Sequence, residues 1–365
     1  MMVRTFSFFL LVLTILVMPV KVFSLCESSH SCILMDNESG RVLYAKNEND
    51  EKLIASTTKL MTFLVAYENG KLDDVYEVGE EVLKMYGTSI YLSVGEKVSL
   101  NDLLYGLILR SGNDASVVIA NNIGDSYDGF IDMMNERAKE LGMRNTVFKN
   151  PHGLDEETEN YSTSYDMALL SKYLHTIPYY IEVSSTRHYT MSTDLKAYDW
   201  YNRNKLLSQY EYVISGKNGY TPSAGKTLVS GALKNNLSLT AVSLDDGDIY
   251  NTHINLYEYG FDTFTRWVIV NKDVFSYKDQ YYGGELYVKE SFVYPLKDGE
   301  KDKINIVIQI IRGVDTDISD KVGNVIVYYD GDEIFREDLL IKKTVKEKTK
   351  SFFEKIVEFL DSLIS

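Results

Sequence analysis

Three short groups of residues in this 365-residue chain combine side chains that can do chemistry together. The first is Ser56-Thr57-Thr58-Lys59, at the start of an apolar stretch. A spacing of three places Ser56 and Lys59 on one helix face, within hydrogen-bond reach. A serine becomes a nucleophile when a base takes its proton, and a desolvated lysine with a lowered pKa is such a base. Free N–H groups at a helix start can stabilise an oxyanion. A simple helix N-cap is the alternative role for Ser56.

The other two groups fall in predicted connections between secondary-structure elements. Ser111-Gly112-Asn113 is predicted between two helices, where loops often carry reacting groups; a plain turn is the alternative. Lys217-Asn218-Gly219 is predicted in a turn before a strand at Thr227. There, a lysine beside a glycine can meet a substrate carboxylate because glycine allows close backbone approach; an ordinary Asn-Gly turn is the alternative. Ser223 and Lys226 repeat the Ser-x-x-Lys spacing, but in a loop rich in proline and glycine with no helix behind it.

The elements that must position these groups form an α+β pattern. Residues 33–36 and 41–44 predict a β-hairpin, and a capping box at Ser99 predicts a helix start. The remaining predicted elements are helices over 56–67, 114–123, 130–141 and just before Gly260, with strands over 227–233 and 237–244. From about residue 275 the pattern changes to strands alone, over 285–288, 304–311 and 325–329, which indicates a small all-β domain.

The composition limits the class of protein. With 45% hydrophobic and 25% charged residues, the chain is neither disordered nor fibrous. Lys plus Arg total 38 against 53 Asp plus Glu, a formal net charge of −15. Because phosphate binding needs a basic surface, this balance argues against a nucleic-acid partner. The five histidines lack metal-ligand spacing, so we expect no metal and no cofactor.

The two ends differ from the rest. Residues 1–24 place Arg4 before an apolar run and predict a signal peptide, with an uncleaved anchor as the alternative. Residues 342–365 place lysines before a helical pattern of apolar residues. That pattern predicts an amphipathic helix on an anionic membrane surface, or else a helix packed on its own protein. Cys26 and Cys32 suit a short-loop disulfide in an exported protein; the rival is a catalytic thiol, and we expect a structural or idle role.

The order and spacing of the three groups resemble the penicillin-recognising serine enzymes, which carry Ser-x-x-Lys, Ser-x-Asn and Lys-x-Gly in this order. Within that superfamily, the chain is most similar to the exported D-alanyl-D-alanine carboxypeptidases, the low-molecular-mass penicillin-binding proteins. Further stretches agree with that family: Gly87-Thr88-Ser89, Val94-Gly95-Glu96, Asn150-Pro151-His152-Gly153-Leu154, Tyr161-Ser162-Thr163-Ser164-Tyr165-Asp166, Gly219-Tyr220-Thr221 and Ala224-Gly225.

The resemblance implies a fold and an arrangement of domains. Residues 25–270 would be a catalytic domain with an antiparallel sheet and a helical cluster. Residues 271–341 would be a small β-rich domain, and 342–365 a membrane-association helix. The implied location is the outer face of the bacterial cytoplasmic membrane or the cell wall.

The implied activity is removal of the terminal D-alanine from peptidoglycan pentapeptides through an acyl-enzyme on Ser56, with acylation by β-lactams as a side reaction. By this resemblance Lys59 is the general base and Ser111 relays a proton to the departing amine. The remaining implied roles are peptide orientation by Asn113, carboxylate binding by Lys217, and an oxyanion hole made by the backbone N–H groups of Ser56 and Tyr220.

Two departures matter. Asn218 stands where the third motif usually has threonine; it can still bind a carboxylate, and Thr221 and Gly219 lie nearby in the sequence, with Thr221 supplying a hydroxyl, so we expect altered efficiency and not loss. The middle motif is Ser111-Gly112-Asn113, where class A β-lactamases have Ser-Asp-Asn. The Glu-x-x-Leu-Asn stretch of those enzymes is also absent from the sequence, so rapid β-lactam hydrolysis is the weaker interpretation. The alternatives are a D,D-endopeptidase or weak β-lactamase using the same site, and a non-catalytic wall-binding protein.

Overall fold

The computed structural model describes residues 25–315 and 320–342, and the chain divides into two compact units between Asp262 and Thr263. The predicted signal peptide, residues 1–24, lies outside the described residues. So does the predicted C-terminal helix, apart from Lys342. Within the described ranges, no helix is both long and apolar enough to cross a membrane.

The first unit contains eleven strands among its described residues. They are β1 Ser29–Asp36, β2 Val42–Lys46, β3 Lys52–Leu53, β4 Val75–Glu77, β5 Lys97–Ser99, β6 Tyr161–Ser162, β7 His188–Ser192, β8 Ala197–Tyr201, β9 Val213–Thr221, β10 Gly225–Lys234 and β11 Leu237–Asp246. Five of them form an antiparallel sheet in the order β2-β1-β11-β10-β9, and the predicted β1–β2 hairpin is confirmed. Strand β9 is an edge strand of this sheet.

Eight α-helices accompany these strands in the described part of the chain. They are α1 Lys59–Asn69, α2 Leu100–Tyr105, α3 Asn113–Ile123, α4 Tyr127–Glu140, α5 Ser164–Leu174, α6 Pro178–Ser185, α7 Leu206–Gln209 and α8 Ile249–Thr263. Two 3₁₀ turns, Ala55–Thr58 and Glu80–Lys84, and a π-helical turn, Gly106–Arg110, complete the helical elements of this unit.

The central sheet separates two helical layers. Along β1, Ile33 and Met35 join the core formed with the helical cluster. Leu34 points the other way, because side chains alternate along a strand. It faces α8, where a Cβ atom on Gly260 would lie 2.8 Å from Leu34 Cδ2. The strand β9, which contains Lys217 to Thr221, therefore belongs to a sheet that is covered on both faces.

One predicted helix start is confirmed, and another lies a few residues from its predicted position. Ser99 caps α2 as predicted, its hydroxyl accepting a hydrogen bond from the Asp102 backbone N–H at 3.1 Å. The predicted helix over 56–67 is instead a 3₁₀ turn over Ala55–Thr58, followed by α1 from Lys59. Ser56 is not an N-cap, since the turn's cap residue is Ile54.

The third motif lies in a strand, contrary to the turn that we predicted. Lys217 to Gly219 fall inside β9 and pair with Thr227 to Val229 of β10. The Asn-Gly pair resembles a hairpin signal, but strand pairing with β10 overrides this local preference.

Residues 263–315 and 320–342 form the second unit. Its strands are β12 Thr265–Val270, β13 Tyr277–Lys278, β14 Glu285–Tyr287, β15 Phe292–Leu296, β16 Ile304–Ile310, β17 Lys321–Tyr329 and β18 Asp332–Ile341, with a 3₁₀ turn over Lys301–Lys303. They form a two-stranded sheet, β12-β15, and a five-stranded sheet, β13-β14-β18-β17-β16. Because β12 pairs with β15, residues 263–270 belong to this β unit and not, as predicted, to the first domain.

The structure pairs the two cysteines. Cys26 and Cys32 form a disulfide at the start of β1, and both side chains are buried. Because both sulfur atoms take part in this bond, neither cysteine is a free thiol, and the alternative of a catalytic thiol is wrong.

A side chain at Gly153 should destabilise the protein, because the backbone φ there is +83° and a Cβ atom would lie 1.9 Å from the Ala55 carbonyl oxygen. Gly142 has a similar φ of +79° with nothing within 4 Å of its Cβ position. We expect Gly153→Ala to lower the free energy of unfolding by about 1–3 kcal/mol more than Gly142→Ala. Urea unfolding of both variants measures this, and equal losses would contradict it.

Candidate active site

The 3₁₀ turn brings Ser56 and Lys59 together. In a 3₁₀ turn, side chains three residues apart eclipse one another. The Lys59 Nζ atom lies 3.1 Å from Ser56 Oγ. Ser56 is half-buried and opens to a cleft, whereas Lys59 is fully buried behind it. The predicted pairing of these two residues is present.

Two carbonyl oxygens accept hydrogen bonds from the Lys59 amine. They are Asn113 Oδ1 at 2.8 Å and the backbone oxygen of His152 at 2.6 Å. Burial lowers the pKa of Lys59 well below its ordinary value; the nearby charge of Lys217 lowers it further, and Asp114 opposes both effects. A neutral amine has two N–H groups and one lone pair. With both N–H groups directed at carbonyl oxygens, the lone pair is left for the Ser56 hydroxyl.

Asn113 is held in place by hydrogen bonds to residues 86–88, which precede the second motif in the sequence. Its Nδ2 donates to the Tyr86 backbone oxygen at 2.7 Å, and its backbone N–H donates to the Thr88 oxygen at 2.8 Å. Thr88 Oγ1 donates to the Ser111 backbone oxygen at 2.7 Å. Ser111 adopts φ 61° between the π-helical turn and α3, which confirms the predicted break. The second motif is therefore held in place by residues 86–88.

His152 contributes its backbone, not its ring, to the Lys59 environment. Asn150 Oδ1 accepts hydrogen bonds from the backbone N–H groups of His152, at 3.2 Å, and Gly153, at 2.6 Å. These bonds shape the turn that aims the His152 carbonyl at Lys59. Burial and the charge of Lys59 lower the pKa of His152 to about 3, so its imidazole is neutral near pH 7. The sequence places His152 in a stretch typical of the family but did not indicate this carbonyl contact.

Strand β9 forms the opposite wall. Lys217 is 1% exposed, and its Nζ donates to the Asn218 backbone oxygen at 2.6 Å. Burial, with a contribution from the charge of Arg203, lowers the pKa of Lys217 to about 7. A Cβ atom at Gly219 would lie 2.7 Å from the Ser56 backbone nitrogen. Glycine therefore keeps the space beside the Ser56 N–H open, as an oxyanion hole requires.

Thr221 lines the cleft, and its hydroxyl is hydrogen-bonded within the protein. The hydroxyl donates to Asp155 Oδ2 at 2.6 Å and accepts from the Ala224 backbone N–H at 3.0 Å. Its expected contact with a ligand, near Asn218, stays a prediction. The Asp155 contact comes from a distant part of the chain, so local sequence could not reveal it.

The two walls enclose a cleft of about 250 Å³. It is lined by Ser56, Gly87, Thr88, Ser111, Asn113, Leu154, Arg203, Asn218, Gly219, Tyr220 and Thr221. Lys59 and Lys217 are buried behind these residues. Thus the fold brings all nine predicted site residues to one place.

Arg203 is the cleft residue that the sequence did not indicate. It is exposed and sits in the loop between β8 and α7, where its backbone N–H donates to the Leu109 oxygen at 3.0 Å. No local motif marks an isolated loop arginine as functional. With Lys217 it makes this wall of the cleft cationic, which suits a ligand carboxylate. In the described residues, no cluster of three His, Cys, Asp or Glu side chains could hold a metal ion.

Comparison with known proteins shows which family has this arrangement. The family model for D-alanyl-D-alanine carboxypeptidase matches residues 22–248, more than half of the chain. The chain belongs to the D-alanyl-D-alanine carboxypeptidase family. The model for the C-terminal domain of penicillin-binding protein 5 matches residues 264–347, which include most of the second unit. The resemblance carried by the three motifs is confirmed, as is the predicted fold class for the described residues.

Individual members of this family are similar over different lengths. D-alanyl-D-alanine carboxypeptidase DacF of Bacillus subtilis is 38% identical over 224 residues, which are 60% of this chain and 57% of that protein. DacC of Escherichia coli is 37% identical over 249 residues, 64% of this chain and 61% of that protein. The matched part thus spans less than two thirds of either relative. DacA of Haemophilus influenzae is 28% identical over 350 residues, 88% of this chain and 86% of that protein.

Solved structures extend the similarity to the fold. Penicillin binding protein 5 from Haemophilus influenzae has a TM-score of 0.71 at 24% identity, covering 87% of this chain and 97% of that one. Penicillin binding protein 6B from Escherichia coli has a TM-score of 0.68 at 26% identity, covering 88% and 98%. Both likenesses include the β unit as well as the catalytic unit.

Removal of the Arg203 charge should change the pKa of Lys217. Since the charge of Arg203 helps to lower the pKa of Lys217, we expect Arg203→Ala to raise that pKa. The rise is smaller than the total depression, because burial is the larger cause and remains. NMR titration of protein labelled with ¹³C at the lysine ε-carbon measures it. Lys139→Ala, which removes an exposed positive charge from α4, is the matched control. No rise in Arg203→Ala would contradict the assignment.

Proposed function

We propose that this protein is a serine D,D-carboxypeptidase that removes the terminal D-alanine from peptidoglycan pentapeptides through an acyl-enzyme on Ser56. One observation carries the proposal. The buried Lys59 amine has two hydrogen bonds to carbonyl oxygens and lies 3.1 Å from Ser56 Oγ. This arrangement supports a desolvated base with a lowered pKa that is aimed at a nucleophile.

Acylation starts with proton transfer from Ser56 to the Lys59 amine. The Ser56 oxygen forms a bond to the carbonyl carbon of the penultimate D-alanine, and the backbone N–H groups of Ser56 and Tyr220 stabilise the resulting oxyanion. The amide C–N bond then breaks, and the leaving amine receives the proton from Lys59 by way of the Ser111 hydroxyl. Water hydrolyses the ester with Lys59 again as the base, which regenerates Ser56.

Substrate recognition uses the two walls of the cleft. On one side of the cleft, Asn113 orients the peptide, and the backbone oxygens of Tyr86 and Thr88 hold Asn113 in place. On the other side, Lys217 and the Asn218 amide bind the terminal carboxylate, and Arg203 adds a second positive charge to this wall. A β-lactam also presents a carboxylate and an acylating carbonyl, so it would acylate Ser56 in the same position.

The matched pair Ser56→Ala and Ser223→Ala tests the proposed nucleophile. Both serines precede a lysine by three residues, but only Ser56 lines the cleft. We expect Ser56→Ala to lose D-alanine release from a pentapeptide by at least about 10³-fold. It should also lose covalent labelling by a fluorescent penicillin, whereas Ser223→Ala keeps both. Absence of label and of D-alanine release in the unmodified protein would contradict the proposed function.

The charge of Lys217 gives a prediction about pH. Its ammonium form attracts the substrate carboxylate, and with a pKa of about 7 this form is lost as the pH rises through 7. Lys59 must be neutral to act, and burial lowers its pKa in favour of that form. We therefore expect kcat/KM to decline above pH 7, mainly through a rising KM. In Lys217→Arg, whose side chain stays charged, the alkaline decline should disappear. Identical pH profiles for the two proteins would contradict this role.

We also propose that the protein is exported and held at a membrane surface. The leader pattern of residues 1–24 and the disulfide between Cys26 and Cys32 support export, because disulfides persist in oxidising compartments. The lysine-led apolar pattern of 342–365 supports association with an anionic membrane.

Deletion of residues 342–365 tests the membrane part of this proposal. We expect the full chain in the membrane fraction and the shortened chain in the soluble fraction. Equal penicillin labelling of the two proteins controls for folding. Equal membrane association of both proteins would contradict the proposed anchor.

A further inference from the structure

The exposed tyrosines of the first unit lie around the cleft. Within the described part of this unit, four tyrosine side chains are exposed: Tyr86, Tyr91, Tyr201 and Tyr220. Each of them either lines the cleft or lies within three residues of a residue that lines it. Single exposed apolar side chains are ordinary on a protein surface, but a group of them beside a site indicates a binding surface.

Tyr91 is held in an unfavourable conformation with its side chain 75% exposed. Its backbone φ is +64°, which is uncommon for a residue other than glycine. The buried Asp114 carboxylate accepts hydrogen bonds from the backbone N–H groups of Ile90 and Leu92, each at 3.0 Å. The Tyr91 N–H donates to Ser89 Oγ at 2.8 Å. These bonds fix the strained residue, and strain of this kind occurs chiefly at functional sites.

Tyr201 lies on the outer face of the β7–β8 hairpin. Its ring stacks on the ring of His188, with the ring centroids 4.4 Å apart, and its side chain is 61% exposed. Asp199 lies on the same face of β8, because side chains alternate along a strand, and it accepts a hydrogen bond from the His188 ring. This face therefore combines an aromatic ring with an imidazole and a carboxylate.

Hydrogen bonds join these two segments to each other and to the second motif. Lys196, in the turn of the β7–β8 hairpin, donates to the Tyr91 backbone oxygen. Arg110, which directly precedes Ser111, donates to the Tyr201 backbone oxygen at 3.4 Å. The two tyrosines are therefore parts of one surface beside the cleft. We name this surface the tyrosine rim; it consists of Tyr91, His188, Asp199 and Tyr201.

The tyrosine rim lies within reach of the group to which a substrate peptide is attached. A five-residue peptide spans at most about 17 Å. Tyr201 is two residues from Arg203 and Tyr91 is three residues from Thr88, so each lies at most about 11 Å from a residue that lines the cleft. A pentapeptide with its terminal carboxylate at Lys217 therefore extends far enough to bring the sugar chain that carries it to the rim.

We propose that the tyrosine rim binds the glycan strand that carries the pentapeptide, so that the protein acts on polymeric peptidoglycan in preference to free peptides. This inference rests on the proposed function and names the substrate class of the same site. A sugar ring has an apolar C–H face that packs on an aromatic ring, and hydroxyl groups that hydrogen-bond to polar side chains. Tyr91 and Tyr201 supply the rings, and His188 and Asp199 supply the polar groups.

The position of the rim favours a sugar chain over a protein partner. The cleft holds only the peptide part of the substrate, and the sugar chain must leave the cleft along its edge. The rim stands at that edge and is joined to the second motif through Arg110. A protein partner could bind at any part of the surface and would not need this place.

Two substitutions remove the rings of the rim while keeping its backbone. Tyr91→Asn suits the left-handed conformation, which asparagine adopts more readily than most residues. Tyr201→Ser removes an outward-facing side chain from β8. Tyr281→Ser is the matched control, because Tyr281 is 59% exposed but belongs to the second unit. Penicillin labelling at the level of the unmodified protein controls for folding of each variant.

Release of D-alanine from two substrates with the same pentapeptide tests the proposal: the free peptide and glycan strands that carry it without cross-links. We expect Tyr91→Asn and Tyr201→Ser each to lower kcat/KM for the strands about fivefold, mainly through KM, and to leave kcat/KM for the free peptide within about twofold. Tyr281→Ser should change neither value. Equal losses on both substrates, or no loss on the strands, would overturn the inference.

Binding of the Ser56→Ala variant to glycan strands stripped of their peptides measures the rim without catalysis. We expect this variant to bind the strands, and the further change Tyr201→Ser to weaken the binding about fivefold. Absence of binding would overturn the inference and leave the proposed function intact. If the unmodified protein releases no D-alanine from either substrate, the proposed function fails, and the binding measurement still decides whether the rim holds glycan.

Discussion

The Lys59 amine is fully buried, and its Nζ atom lies 3.1 Å from Ser56 Oγ. An ammonium group without solvent is costly, so burial favours the neutral form of Lys59. The Asn113 amide and the His152 carbonyl satisfy its two N–H groups, which leaves the lone pair for Ser56. These two acceptors therefore set the direction in which the amine points. In the proposed function, the weak hydroxyl nucleophile Ser56 thereby gains a base.

Each element around Lys59 has a positional task. The 3₁₀ turn eclipses Ser56 with Lys59, and the π-helical turn before α3 presents Asn113. A glycine-containing turn, closed by Asn150, supplies the His152 carbonyl. The edge strand β9 adds Lys217, whose charge further disfavours an ammonium at Lys59. Parts of the chain about 160 residues apart in sequence (Ser56 to Lys217) therefore act on a single protonation state.

Much of this could be predicted from sequence because it depends on local periodicity. The β1–β2 hairpin, the Ser99 cap and the pairing of Ser56 with Lys59 all follow from spacings of a few residues. The parts that could not be predicted depend on distant contacts. Pairing with β10 makes the Lys217 motif part of strand β9, and Asp155 accepts a hydrogen bond from the Thr221 hydroxyl. Arg203 and the His152 carbonyl reach the site only after the chain has folded, because one is an isolated loop residue and the other is a backbone group that no side-chain pattern reveals.

Neutron crystallography of the perdeuterated protein at neutral pD observes the protonation state of Lys59 directly. We expect two deuterons on Lys59 Nζ, directed at Asn113 Oδ1 and the His152 oxygen. We expect a third deuteron on Ser56 Oγ, directed at Nζ. Three deuterons on Lys59 Nζ, with one of them directed at Ser56 Oγ, would contradict this expectation.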